Sequence, residues 1–215
     1  MIGSRSAAAV LATLCALAAC KIEDTTTPTA EDGGSSAPAT DADRMAALVE
    51  ESWQAQVLPA VEEHAVDVAT LRQILADGLG AAGDAHGLRP DGEANSWNFV
   101  ISGTGTAIEA DFESRAATMS LDTDGDGAGD VELMLGPVIR GTAIRDAMPF
   151  YAFSDFRDQI EFAKLGRALN DRAAQDIARP ENDPIGKSYT FTAVMTLKAA
   201  DDDWTAVPIT LEPAP

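Results

Sequence analysis

The stretch NFVISGTGTAIEADFESRAATMSLDTDGDGAGDVELML, residues 98–135, decides the fold. Its apolar residues recur at every second position. Phe99 and Ile101 open a strand, Gly103 and Gly105 interrupt it, and Ile108 to Phe112 continue it. Ala117, Met119 and Leu121 alternate as a second strand, and Val131, Leu133 and Leu135 as a third. A period of two is the signature of a half-buried strand, and glycines inside one mark a bulge or sharp bend. Asp–Gly pairs fill the gap between the second and third strands, which predicts a hairpin. Gly136-Pro137 ends the run.

Downstream, Ser154 can cap a helix from Asp155 to about Ala178, with Phe156, Ile160, Ala163, Leu165 and Leu169 as its core face. Pro180 and Pro184 close it. Two strands follow. Tyr189, Phe191, Ala193, Met195 and Leu197 share one face of the first; the second runs from Trp204 through Val207, Ile209 and Leu211. Upstream the period is helical: Met45, Leu48, Val49 and Trp53 mark one apolar face. Pro59 should end or kink that helix near Val57. A short helical piece, Ala60 to His64, follows, and Asp67 caps a further helix, Val68 to Leu79.

The fold class expected from this order is α+β. N-terminal helices precede a five-stranded antiparallel OB-like β-barrel with a long helix between strands 3 and 4. An open antiparallel sheet packed on helices is the alternative.

The N-terminus sets the compartment. Residues 1–19 carry one charge, Arg5, then an apolar run too short to span a bilayer, which needs about 20 apolar residues. Leu17-Ala18-Ala19-Cys20 resembles a bacterial lipobox, in which the cysteine takes lipid and becomes the first mature residue. The expected organisation is a lipoprotein signal peptide over 1–19, a lipidated Cys20 with a flexible tether over 20–42, and one periplasmic domain over 43–215. The tether is rich in Thr, Pro, Ser, Gly and acids and cannot bury enough surface to order itself. Lys21 stands where Asp would direct inner-membrane retention, which favours the outer membrane. Cys15 and Cys20 are the only cysteines, so the expected mature domain has no disulfide and no thiol chemistry.

The formal charge of −20 argues against nucleic acid and anionic lipid surfaces as partners. Catalytic sets are sparse. His64 and His86 are the only histidines, and no HExxH, GxSxG or CxxC occurs. His64 sits on a helix and His86 in a Gly-rich loop, neither near a recognisable nucleophile. The expectation is a protein that is not an enzyme.

Two segments stand out. Asp122-Thr123-Asp124-Gly125-Asp126-Gly127-Ala128-Gly129-Asp130 matches the front half of a calcium loop, with Asp122, Asp124, Asp126 and Asp130 as candidate ligands. The bidentate acid is displaced, since position 12 is Leu133 and Glu132 precedes it. A solvated acidic hairpin turn is the alternative. The second segment, GPVIRGTAIRD over 136–146, interleaves Arg140, Arg145 and Asp146 with small residues, before the aromatics Phe150, Tyr151, Phe153 and Phe156. Arginine forks and aromatic faces suit a ligand or partner surface, and an internal Arg–Asp pair is the alternative.

Taken with the lipobox, VLPAVEEHAVDVATL (57–71), NFVISGTG (98–105), LGPVIRGTAIRDA (135–147), FSDFRDQIEFAKLGRALNDR (153–172) and WTAVPITLE (204–212) resemble one family. It is the predicted periplasmic lipoprotein family called domain of unknown function 2291, often encoded beside sugar ABC transporters. The resemblance spans essentially the whole expected mature domain and carries no reaction or binding residues. It implies a lipid-anchored periplasmic accessory whose partner is a sugar ABC transporter or its solute-binding protein. A calcium-stabilised envelope module is the second expectation, and a hydrolase acting through carboxylates the third.

Overall fold

The structure is a computed structural model and describes residues 40–90 and 92–214. The expected signal peptide, Cys20 and the tether up to residue 39 lie outside the described residues. The described residues begin at Thr40, three residues before the expected start of the domain. Thr40 caps helix α1 (Asp41–Ser52) in a capping box with Asp43, each side chain bonding the other residue's backbone N–H.

Pro59 does not end the helical run. A π turn over Trp53–Val57 inserts, and α2 (Leu58–His64) continues directly with Pro59 in its first turn. The Leu58 N–H reaches back five residues to the Trp53 carbonyl, so the widened turn accommodates a ring that would clash in a continuous α-helix. A three-residue strand, β1 (Ala65–Asp67), follows. Asp67 then caps α3 (Val68–Leu75) by accepting from the Ala69 and Thr70 amides. That helix is shorter than expected: Gly78 takes φ +106°, and Leu79 starts a separate α4 (Leu79–His86). His86 therefore ends a helix rather than sitting in a loop.

The remaining elements are β2 (Trp97–Asp111), β3 (Thr118–Asp122), β4 (Val131–Met134), α5 (Ala143–Ala147), α6 (Gln159–Asp176), β5 (Ser188–Leu197) and β6 (Trp204–Pro213). They form one six-stranded sheet in the order β1-β2-β3-β4-β6-β5, and β5 pairs back onto β2. The pairings of β2, β3, β4, β6 and β5 thus make a closed circuit. The expected all-antiparallel set of five is corrected on two counts. β4 and β6 run parallel, Leu133 opposite Ala206, and β1 adds a sixth strand parallel to β2, Val66 opposite Ile101. β1 covers Val100–Ser102, within the part of the β2 edge that β3 does not reach, since β3 joins only from Thr106 onward. An unpaired edge would expose backbone donors and acceptors.

The glycines of β2 serve close approach. A Cβ at Gly103 would lie 3.0 Å from Val68 Cγ2, and one at Gly105 would lie 2.9 Å from the Asp122 carbonyl. The register irregularity falls further along, between Ala107 and Glu109.

Two apolar clusters hold the domain. One unites Phe99, Ile101, Met119, Leu121, Leu133, Phe191 and Met195 with Val68 and Leu71 of α3. The other sets Val100, Val194, Val207 and Ile209 against Trp53 of the π turn, Ile144 of α5, and Leu165 and Leu169 of α6. β2, β5 and β6 are therefore apolar on both faces, and each large side chain buried contributes about 1.5–3 kcal/mol. Helix α6 is capped by Asp158, not Ser154. Its buried face is Phe162, Leu165, Leu169 and Ala173, whereas Ile160 is 66% exposed. Among the described residues no helix is long and apolar enough to cross a membrane.

Candidate functional site

The segment between β4 and α6 lines two adjoining cavities, of about 690 and 540 Å³. Gly141, Thr142 and Thr196 border both. Ligand sites typically measure about 300–1,000 Å³.

Helix α6 positions this segment through three residues spaced four apart on one face. The Phe162 carbonyl accepts from Arg145 Nη1 at 3.1 Å. Gly166 leaves room for Thr142, whose Cγ2 would stand 2.9 Å from any Cβ there. Asn170 donates its amide to the Gly141 carbonyl at 3.0 Å. Residues i, i+4 and i+8 share a helix face, so this side of α6 is a template for residues 141–145. Two of the stretches that carry the family resemblance, 135–147 and 153–172, meet in this contact.

Of the expected surface residues, Arg145 and Asp146 are brought together and Arg140 is not. Arg145 Nε and Nη2 both reach Asp146 Oδ1, at 2.8 and 2.6 Å. The Arg145 guanidinium also lies 3.9 Å from the centre of the Phe162 ring. Thr142 donates to the other Asp146 oxygen at 2.6 Å. This is an internal, mutually satisfied pair at the wall of the larger cavity. Arg140 is exposed, lines the smaller cavity, and has no ion pair among the described residues.

Sequence reasoning missed Asn98, which holds the floor of the larger cavity. It is 2% exposed, and its two amide hydrogens go to the Leu88 and Asp146 carbonyls. Its oxygen accepts from Thr196 at 2.6 Å, directly across the β2–β5 pair. The available signal was a polar pair at the facing ends of two apolar strands. Arg89 and Lys198 were also missed. Arg89 stacks 3.7 Å from the Trp97 ring centre at the cavity mouth, and Lys198 follows the end of β5. Neither has an ion pair among the described residues.

The acidic loop lies elsewhere, at the β3–β4 hairpin. Asp122, Asp124 and Asp130 bring carboxylate oxygens within 4.8 Å of one another, and Asp126 stands outside this group. Backbone amides of Gly125 and Gly127, at 2.7 and 2.9 Å, hold the Asp122 carboxyl below its ordinary range. Gly125 and Gly127 take φ near +84° and +88°, which glycine alone adopts freely. A cation already faces the cluster: Arg72 of α3 lies 3.6 Å from Asp124 and 3.3 Å from Asp130, and donates to Thr123 at 2.9 Å. Glu132 points away, into the smaller cavity.

A third polar cluster joins the starts of α1 and α6. Asp41 accepts from Arg44, Arg157 and Lys164. These donors, Lys164 foremost, hold its carboxyl well below the usual range. Arg44 also reaches the buried Glu161 at 2.8 Å.

No curated protein matches the chain. An OB-fold protein from Thermotoga maritima, known from its crystal structure, is similar in fold, with a TM-score of 0.59 and 18% identity. The match covers 80% of this chain and 96% of that one. At that identity it speaks for architecture only. The family model described as "Predicted periplasmic lipoprotein (DUF2291)" matches residues 10–212, so it spans the described domain. The chain belongs to this family of predicted periplasmic lipoproteins of unknown function.

Proposed function

We propose that this protein is a non-enzymatic, lipid-anchored accessory of a sugar ABC uptake system. In this reading Cys20 carries the anchor, the strand circuit is a five-stranded OB-type barrel, and the paired cavities beside α6 bind sugar or the solute-binding protein. The observation that carries the reading is the construction of those cavities. Arg145, Asp146, Asn98 and Thr142 are locked by partners before any ligand arrives, and preorganisation of this kind lowers the cost of binding. The non-enzymatic part rests on the same bonds. Both oxygens of Asp146 are engaged, and neither His64 nor His86 lines either cavity.

The test is a crosslinked pull-down of the tagged, lipidated full chain from detergent-solubilised membranes. Enrichment of a sugar solute-binding protein or permease supports the reading; recovery of envelope components alone removes it. Arg140→Ala serves as the surface variant because Arg140 is exposed and unpaired among the described residues. Arg145→Ala cannot serve, since it breaks an internal pair.

A further inference from the structure

We infer that the larger cavity takes an acidic sugar, with a carboxylate on the ring seated between Arg89 and Lys198. This deepens the proposed function and rests on its sugar reading. The chain carries −20 overall, yet the wall of this cavity holds three cations, Arg89, Arg145 and Lys198, against one carboxylate, Asp146. In so acidic a molecule, a local excess of positive charge focuses anions into the cleft.

The bonds already made decide which groups are free. Arg145 and Asp146 neutralise each other, and Thr142 takes the second oxygen of Asp146. Asn98 spends both of its amide hydrogens on carbonyls. That leaves Lys198 and Arg89 as cations without a salt bridge among the described residues; Asp202 attracts Lys198 only at longer range. Arg89 gives one N–H to the Glu93 carbonyl at 3.2 Å, and its guanidinium is steadied on the Trp97 ring. Asp202 caps the backbone of Lys198 and Ala199, at 2.6 and 2.9 Å, which fixes where Lys198 emerges. Charge-assisted bonds from such groups to a carboxylate are the strong kind.

The rest of the wall suits the remainder of a sugar. The hydroxyls of Thr142 and Thr196 donate to Asp146 and Asn98, so their lone pairs are left to accept from ligand hydroxyls. Phe153 is 43% exposed at the rim, steadied edge-on against Phe162 at 5.5 Å, and offers a flat apolar face. A neutral sugar would use these contacts and leave both cations without a salt bridge.

The test is calorimetric titration of the full chain in detergent with D-glucuronate and D-galacturonate, beside D-glucose, D-galactose, acetate and inorganic phosphate. At least one uronate is expected to bind at least tenfold more tightly than its neutral counterpart, and more weakly as salt is raised. Lys198→Ala and Arg89→Ala should each weaken that uronate about tenfold or more. Lys198→Ala should change the melting temperature little, because its side chain makes no hydrogen bond or salt bridge among the described residues and meets Asp202 only at longer range. Acetate or phosphate binding as well as a uronate would overturn the sugar part. Neutral sugars binding equally well would overturn the acidic part while leaving the accessory reading standing. Silence from both uronates would overturn the inference, whatever the pull-down recovers.

Discussion

Gly166 of α6 and Thr142 are in such close contact that a Cβ on the glycine would lie 2.9 Å from the threonine Cγ2. The helix could have used any good helix former there, yet it carries the residue that costs about 1 kcal/mol relative to alanine. Gly166→Ala should therefore destabilise the domain despite its better propensity. Overpacking costs about 1–3 kcal/mol, which outweighs the helical gain. Urea unfolding gives the sign. A rise in stability would show that Thr142 yields freely and that α6 does not fix the cavity wall.

Arg145 and lysine are not interchangeable here. The guanidinium uses two nitrogens on Asp146, a third on the Phe162 carbonyl, and its face on the Phe162 ring. Arg145→Lys keeps the charge and loses this fork, so a loss of about 1–3 kcal/mol is expected. Asp146→Asn should lose a similar amount, and the double variant less than the two added together, because the residues act as one unit. Strict additivity in thermal melts would contradict the pairing.

Asp41 predicts an acid sensitivity with a defined sign. Its folded carboxyl lies below its ordinary value of 3.8, held there by Lys164, Arg157 and Arg44. Between the two values the unfolded chain binds more protons, so the contribution is present above about pH 4 and is lost as pH falls further. Asp41→Asn should remove this contribution and flatten the stability profile below pH 5. Identical profiles for both proteins would deny the cluster a role.

At the β3–β4 hairpin, Arg72 is the resident countercharge. Arg72→Ala should lower the melting temperature and raise the response to millimolar calcium above that of the unaltered protein, because three close carboxylates are left without their cation. Asp130→Ala should also destabilise, since Asp130 accepts from both the Thr123 amide and hydroxyl. Asp126→Ala, on an exposed residue outside the cluster, should be close to neutral. Equal calcium responses with and without Arg72 would show that the guanidinium does not occupy the cation's place.

How legible this molecule was depended on how locally its causes act. The three strands within 98–135 could be read because each shows a clear period of two and the turn between the last two carries Asp–Gly chemistry. β1 could not: Ala65-Val66-Asp67 is too short to show a period, and only the uncovered edge of β2 makes it a strand. Phe99-Val100-Ile101 and Ala193-Val194-Met195 held the sign of burial on both faces, because a sheet open to water on one side would have a polar residue in the middle. The α6 stripe differs from the expected one at Ile160 and Ala163, which fit the helical period but are exposed. Arg145 and Asp146 stood out as odd residues in a small-residue run; that they satisfy each other while Arg89 and Lys198 make no salt bridge among the described residues depends on contacts between distant segments.

The cluster around Asp41 has a mechanical side. A pull applied at Thr40 acts on the first turn of α1, where one carboxylate is gripped by cations from α1 and from two points at the start of α6. Trp53, just beyond the far end of α1, donates to Asp176 at the last turn of α6, so the two helices run side by side in the same direction. Load arriving at Asp41 is thus shared at once between two helices instead of peeling one of them from its end. The ion pairs act as a strain relief at the first turn of α1.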